Sequence, residues 1–449
     1  MRDFIVLAII LGSAPICFMN PYFGVLMWYW VTYFNPHRFT WSFAYDFPVA
    51  VVVAVPTLAG TVFAPKSIRS LAVRESILLM VLWAWFGTCY LHAKGIPLFE
   101  ANMPAAGYEM GHISKILLMT FVMILIITTR ERLRGVILVT AGSLGLLAVK
   151  ATIFGIRTAG ESRVWGPSDS FLADNNAFGL ALNMCLPLLF FLARDEKKRW
   201  MKISLQITFL CTILVVLLTY SRGALLGIIV VLTAIMLKTR HKVVGSFLMA
   251  VAALCVLTFA PEAWMSRMGR FAHGDLDSSA EERIVTWGTA WNFAHDYPIT
   301  GGSFDVLPNV AVFQRYQPRP LPLGFLSSAP HSIYFQLLAD QGFVGLGLFL
   351  LLVLSCFWSL WRIRRQARHI PSAHYLVAYT NMIEISILGF MVSGAFLGFV
   401  YLDVIYQMIG TTVVLKVLLQ KEFAELLVRA NETETVPVLA VPEEAAISA

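Results

Sequence analysis

Apolar stretches of about 17 to 25 residues recur from Phe4 to Leu419, each long enough to cross a hydrocarbon layer of roughly 30 Å as a helix. Lipid offers no hydrogen bonds to a backbone, so each crossing must satisfy its own N–H and C=O groups, as a helix does. Composition agrees. Hydrophobic residues make up 58% of the 449 and charged residues 14%, with a mean hydropathy of +0.72, whereas soluble chains carry roughly 25% charged residues. A water-soluble fold cannot hide that much apolar surface, so the length reflects many spans and not three soluble domains. The expectation is an all-α, polytopic membrane protein of about 12 transmembrane helices over 1–420. A large, partly helical outer loop over 261–330 belongs to it, and a disordered cytoplasmic tail over 421–449 follows.

The spans fall near 3–34, 48–64, 75–92, 114–128, 135–155, 171–193, 203–219, 223–237, 243–260, 332–358, 375–397 and 403–420. The first is one long or broken helix, interrupted around Asn20-Pro21. Counted once it gives twelve spans and two cytoplasmic termini; counted as two it gives thirteen and an outer N-terminus. The loops divide Lys and Arg unevenly, 21 against 10, and the positive-inside rule assigns the richer set to the cytoplasm. The start of the chain mimics a signal peptide, but the apolar run resumes from Tyr22 to Trp30, which favours a retained anchor. All six cysteines lie in apolar stretches without CxxC or metal-ligand spacing, and read as small packing residues.

With this orientation, three helices start on the outer side beside cationic or titratable residues. One follows Arg163-Val-Trp-Gly-Pro and opens at Asp174-Asn175-Asn176; one follows Thr219-Tyr220-Ser221-Arg222; one opens at Pro330-His331-Ser332. Helix starts present unpaired N–H groups and the positive end of a dipole, and with arginines they form an anion site. Ser221 is a candidate N-cap. In the long loop, Ser278 and Glu281, or Ser279 and Glu282, have capping-box spacing. A helix is expected there, with Arg283, Trp287 and Trp291 on one stripe and an end before Pro298 and Gly301-Gly302.

Each signal also has a structural reading. His331 suits a helix end, Arg222 an interfacial anchor, Arg283 a solvated helix face, and Trp287 with Trp291 an interfacial belt. Arg163 on its short outer loop is ambiguous, and Arg157, Arg267, Arg270, Arg315 and Arg319 more so. Lys150 is expected to snorkel from its span, while Asp340 and Glu384, inside apolar spans, need partners or protons. The sequence does not name those partners. No internal repeat or pair of matching broken helices is present, which disfavours transport.

At Thr219-Tyr-Ser-Arg-Gly, at Arg283-xxx-Trp287 leading to Pro298-xx-Gly301-Gly302, and at His331-Ser332 before Gly342-xx-Gly345-Leu346, the chain resembles the O-antigen ligase and polymerase superfamily. Met1-Arg2-Asp3, Asn35 through Phe47, and Arg163 through Ala177 look like the branch described as exosortase-associated O-glycosylation ligases. The resemblance covers about 1–420; one departure is Ser332, where the superfamily more often has Asn. It implies a GT-C-like inner-membrane glycosyltransferase. Such an enzyme takes a glycan from undecaprenyl pyrophosphate to an acceptor hydroxyl, for ligases one of the lipid A core, in the periplasm. The resemblance implies catalytic roles for His331, Arg222 and Arg283 and substrate-binding roles for Arg163, Asn175, Ser221, Ser332 and Trp287. It also implies metal-independent transfer, and the sequence has no outer Asp/Glu/His cluster of metal-site type; direct displacement would invert the anomeric centre. Neither cofactor nor nucleic-acid partner is expected. His331 fits a general base or a pyrophosphate ligand. Alternative acceptors are a second lipid-linked glycan, as in a polymerase, or a protein; a lipid-linked glycan transporter is the alternative of another class.

Overall fold

In the computed structural model, which describes residues 1–239, 278–321 and 324–434, every regular element is helical: fourteen α-helices and three short 3-10 turns. They are α1 (Arg2–Met19), α2 (Pro21–Phe34), α3 (Val49–Phe63), α4 (Arg74–Ala93), α5 (Met103–Ile126), α6 (Arg130–Arg157) and α7 (Asn175–Asp195). After them come α8 (Arg199–Leu218), α9 (Arg222–Lys238), α10 (Ser278–Asp296), α11 (Val310–Tyr316), α12 (Ile333–Ala367), α13 (Tyr375–Gly394) and α14 (Asp403–Glu434). Nine segments among the described residues are long and apolar enough to cross a membrane, and α3 is a shorter apolar helix. The expected span at 243–260, Arg267, Arg270 and Cys255 lie outside the described residues, as do the side chains of the Ser278 and Ser279 caps.

The opening segment corrects the single-span reading. Asn20, whose backbone φ of −134° is not helical, separates α1 from Pro21 at the first position of α2. The Asp3 carboxylate, at the start of α1, accepts the N–H groups of Ser42 and Ala44, beyond the end of α2. Arg2 lies over the Trp41 ring. The two helices therefore run antiparallel, with their turn beside Gly60, Ala64, Ile126 and Arg132. That places the start of the chain on the face that also carries 35–47 and 158–174, since the Tyr45 hydroxyl donates to Asp169. We call this the site face. The other, basic face gathers 64–74, 126–134, 195–199 and 360–374, and the charge asymmetry survives the loss of Arg2.

Two further boundaries shift. Helix α5 begins at Met103 and not near 114 because its polar residues are accommodated inside the bundle: His112 approaches Asp403 at 3.9 Å. Helix α14 runs past 420 to Glu434. The ionisable groups in apolar helices find partners, as low dielectric demands. Glu384 pairs with Lys238 at 2.9 Å and with Arg364. Asp340 accepts the Tyr401 hydroxyl at 3.0 Å and the Val306 N–H at 3.3 Å. Glu75, fully buried, accepts Ser355 and Ser359 and pairs with Arg74 and Lys416. Helix α7 is buried along most of its length and packs against α6, α8, α9 and α13, holding the bundle from within.

Helix α12 breaks at Gly342, whose φ of 67° and ψ of −176° end the first nine-residue piece. Only glycine enters that conformation freely. The Phe343 N–H, released by the break, donates to the Pro298 carbonyl at 2.8 Å, and the Gly302 N–H donates to Ala339 at 2.9 Å. Backbone meets backbone here. A Cβ on Gly301 would lie 2.4 Å from the Ala339 oxygen, and one on Gly342 2.2 Å from the Ile299 oxygen. The Gly301-Gly302 and Gly342 motifs thus dock the outer segment onto α12. A satellite core of Phe99, Phe293, Val306, Phe313 and Tyr316 then packs α10 and α11 together.

The antiparallel start is tested by labelling single cysteines in a background lacking the native ones. Arg2→Cys and Trp165→Cys should react from one side of the membrane and Arg69→Cys from the other; Arg2→Cys reacting with Arg69→Cys would restore the single-span reading.

Candidate functional site

Three helix starts form the floor. At α7, Asp174 caps the helix by accepting the N–H groups of Asn176 at 2.8 Å and Ala177 at 3.2 Å. At α9, Ser221 accepts the Ala224 N–H at 3.2 Å and presents half-buried Arg222 as the first helical residue. The Asn175 amide, buried, donates to the Thr219 carbonyl at 2.8 Å and ties the start of α7 to the approach of α9. At α12, Ser332 stands at the N-cap and is 1% exposed. Tyr220 and His331, each one step before a cap, have φ of 56° and 43°. Non-glycine residues in this left-handed region carry strain of order 1–3 kcal/mol and cluster at functional sites.

The connection between α13 and α14, residues 395–402, joins these starts. Phe396 and Leu397 lie against Gly223, and Gly398 lies against His331, where a Cβ would come within 3.3 Å of the backbone nitrogen. Helix α10 closes the arrangement from the loop side. Its Trp287 indole donates to the Pro330 carbonyl at 2.7 Å and stacks on Phe335 with ring centroids 5.1 Å apart. Trp287 also leans on Phe396. One turn earlier, Glu282 accepts the Ser328 hydroxyl at 2.5 Å, so both flanks of the Pro330-His331 turn are tied to α10. Trp291, half-exposed, points away and packs edge-on against Phe343.

Electrostatics mark which charges meet. Burial holds the His331 imidazole below its ordinary pKa, the Arg283 guanidinium pushes it further down, and Glu282 and Asp174 pull the other way. The structure therefore brings Arg283, Glu282 and Asp174 each within electrostatic range of His331, while Arg222 precedes Gly223, which lies against Phe396. Arg163 stands to one side. Val164 donates to the Leu218 carbonyl at 3.0 Å, so Arg163 borders the strand of chain before Tyr220. It shares with Lys150 a cleft of about 260 Å³ that Phe39 and Trp165 also line. Lys150 lies over the Phe39 ring at 3.8 Å. Arg315 and Arg319 belong to the loop surface, Arg319 pairing with Glu281 at 3.1 Å.

Of the sequence candidates, Asn175, Ser221 and Trp287 hold the scaffold by the bonds just described, Arg283 and His331 lie within electrostatic range of each other, and Arg222 opens the neighbouring helix α9. The 395–402 connection was not foreseen as part of the site; its signal in the sequence is the run of small residues at Ser393, Gly394 and Gly398 between two apolar stretches. Among the described residues, no group of three or more His, Cys, Asp or Glu has the arrangement of a metal site.

Among the described residues, these features define an all-helical membrane protein with a candidate site that holds His331 and Arg283 at one face. Residues 207–350, which contain Arg222, Arg283, Trp287 and His331, match the family described as O-antigen ligase, and this match supports a likeness to the O-antigen ligase superfamily. It supports a membrane function of ligase or polymerase type. Residues 1–197, which contain Arg163 and Asn175, match a family of unknown function (DUF5935). No curated protein matches the chain.

The coupling of His331 to Arg283 is tested by histidine NMR titration. Arg283→Gln removes a positive neighbour of a group whose pKa is depressed, so the midpoint should rise toward the ordinary imidazole range. Arg283→Lys should leave it low, and an unmoved midpoint in Arg283→Gln would separate the two residues.

Proposed function

We propose that the chain transfers a glycan from undecaprenyl pyrophosphate to a hydroxyl of the lipid A core, at the periplasmic face of a bacterial inner membrane. The basic face is then cytoplasmic, in line with the positive-inside rule. The observation that carries the reading is the half-buried His331 imidazole, held low in pKa beside Arg283 within the segment that matches O-antigen ligase. An imidazole that is neutral near pH 7 can accept a proton.

In the proposed reaction the acceptor oxygen attacks the anomeric carbon and the bond from that carbon to the pyrophosphate oxygen breaks. The bonding pair leaves with undecaprenyl pyrophosphate, the hydroxyl proton passes to His331, and the anomeric centre inverts. Arg222, Arg283 and the helix N-termini stabilise the charge that grows on the leaving group. Arg163 binds the donor from the adjoining cleft. Asn175, Ser221, Ser332 and Trp287 are positioning residues, Trp287 through its bond to the Pro330 carbonyl. The motifs toward the amino terminus suggest the exosortase-associated branch, with protein or a second lipid-linked glycan as alternative acceptors.

The test supplies purified, detergent-solubilised protein with a lipid-linked donor and, separately, lipid A core, a second lipid-linked glycan or a protein. Product with lipid A core is expected. Product only with the second glycan or only with protein would replace the ligase by a polymerase or a protein O-glycosylation ligase, and transfer in detergent excludes a purely transport role. His331→Ala should lower turnover about 10²–10⁴-fold and Arg222→Ala about 10²–10³-fold, with insertion and melting unchanged. Arg283→Ala should weaken donor binding. Normal transfer by both His331→Ala and Arg222→Ala would remove the site from the reaction.

A further inference from the structure

Some cations on the basic face are paired. Arg130 meets Asp195 at 3.6 Å, Arg134 meets Glu196, and Arg74 and Lys416 share Glu75. Others have no carboxylate within salt-bridge reach among the described residues, and three of these, Lys66, Arg69 and Arg132, lie together. Glu131, adjacent to Arg132 in sequence, is hydrogen-bonded to Thr129 and also feels Arg130 and Lys421. All three border one hollow of about 620 Å³, together with Thr128 and Thr129. A membrane-topology bias places cations on this face, but it gives no reason to gather unpaired ones around a single concavity.

The hollow continues into a second of about 500 Å³, with Pro65 and Arg132 common to both. This neighbour is apolar. Phe18 and Met19 from the end of α1, Phe63 from the end of α3 and Ile126 from the end of α5 line it, and Phe63 and Met19 are 80% and 82% exposed. The site sits where helices α1, α3 and α5 end, on the basic side. Its cations are already oriented by helix ends. Lys66 donates to the Thr61 and Val62 carbonyls at 3.1 and 2.9 Å, and Arg132 donates to the Ile126 carbonyl at 2.9 Å while lying over the Tyr22 ring. Each keeps further N–H donors available. Arg69 is exposed.

We propose that this double hollow binds a phospholipid with an anionic headgroup, its phosphate among Lys66, Arg69 and Arg132 and an acyl chain along Phe18, Phe63 and Ile126. Charge complementarity selects the headgroup, and the apolar half selects a lipid over a free anion. The bound lipid covers the wedge between the α1–α2 turn and the ends of α3 and α5. This places a structural lipid at the face opposite the candidate site, and it stands independently of the reaction proposed above.

Native mass spectrometry of the delipidated full-length protein, titrated with phosphatidylglycerol or phosphatidylcholine of the same acyl chains, tests it. Phosphatidylglycerol should be retained preferentially. Arg69→Gln, which alters a side chain outside the packed interior, should weaken that binding about fivefold, the worth of one interfacial cation. The Lys66→Gln/Arg69→Gln pair should weaken it further, and Lys197→Gln, on another exposed basic loop, should leave it unchanged. Melting curves without lipid should match for wild type and Arg69→Gln. Equal retention of the two lipids, or unaltered binding in Arg69→Gln, overturns the proposal. Displacement of phosphatidylglycerol by millimolar inorganic phosphate also overturns it, by making this a site for free anions.

Discussion

The break at Gly342 is the contact on which the site face depends. A long apolar helix that continued unbroken would offer no free N–H at its middle and no backbone surface for another segment. By leaving the helical region at one glycine, α12 exposes the Phe343 N–H to the Pro298 carbonyl, while Gly302 reaches the Ala339 carbonyl. These paired backbone bonds in a crowded, largely buried place are hard to replace, since an unmade bond leaves a buried polar group unsatisfied. Helix α10 is held from its far end by this joint, and its near end then brings Arg283 and Trp287 against the Pro330-His331 turn.

The sequence made the helical class, most span positions and the uneven charge of the two faces legible because lipid imposes a simple rule on length and polarity. It left the first segment open. Asn20-Pro21 marks an interruption in either arrangement, and what decides between them is the long-range bonding of Asp3 to Ser42 and Ala44, which no local pattern announces. The start of α5 was obscured for a related reason: Glu109, His112 and Lys115 look like the end of a span when read alone, yet His112 faces Asp403 from a helix almost three hundred residues away. Partners for Asp340 and Glu384 were equally beyond local reading, because they come from Tyr401, Arg364 and Lys238.

For the site, residue types and order pointed to the three helix starts, and the structure brings Arg283 within electrostatic range of His331. Side-chain duties were less legible. Asn175, Ser221 and Trp287 each stand in a motif that the family resemblance ties to chemistry, and each makes a bond that holds backbone in place. A polar residue beside a reactive one looks the same in sequence whether it touches a ligand or braces a turn. The 395–402 connection was missed because glycine against backbone leaves no chemical signature.

The left-handed backbone at His331 has a consequence for how such a site would discriminate. Trp287, Ser328 through Glu282, and Gly398 fix the turn from three directions, so the backbone that carries the imidazole is held in place. A rigid base responds to where a hydroxyl is held and hardly at all to what carries it. On the proposed reaction, recognition of the acceptor would then fall to surfaces farther out, and a change of acceptor during divergence would leave the turn around His331 untouched while remodelling the rim.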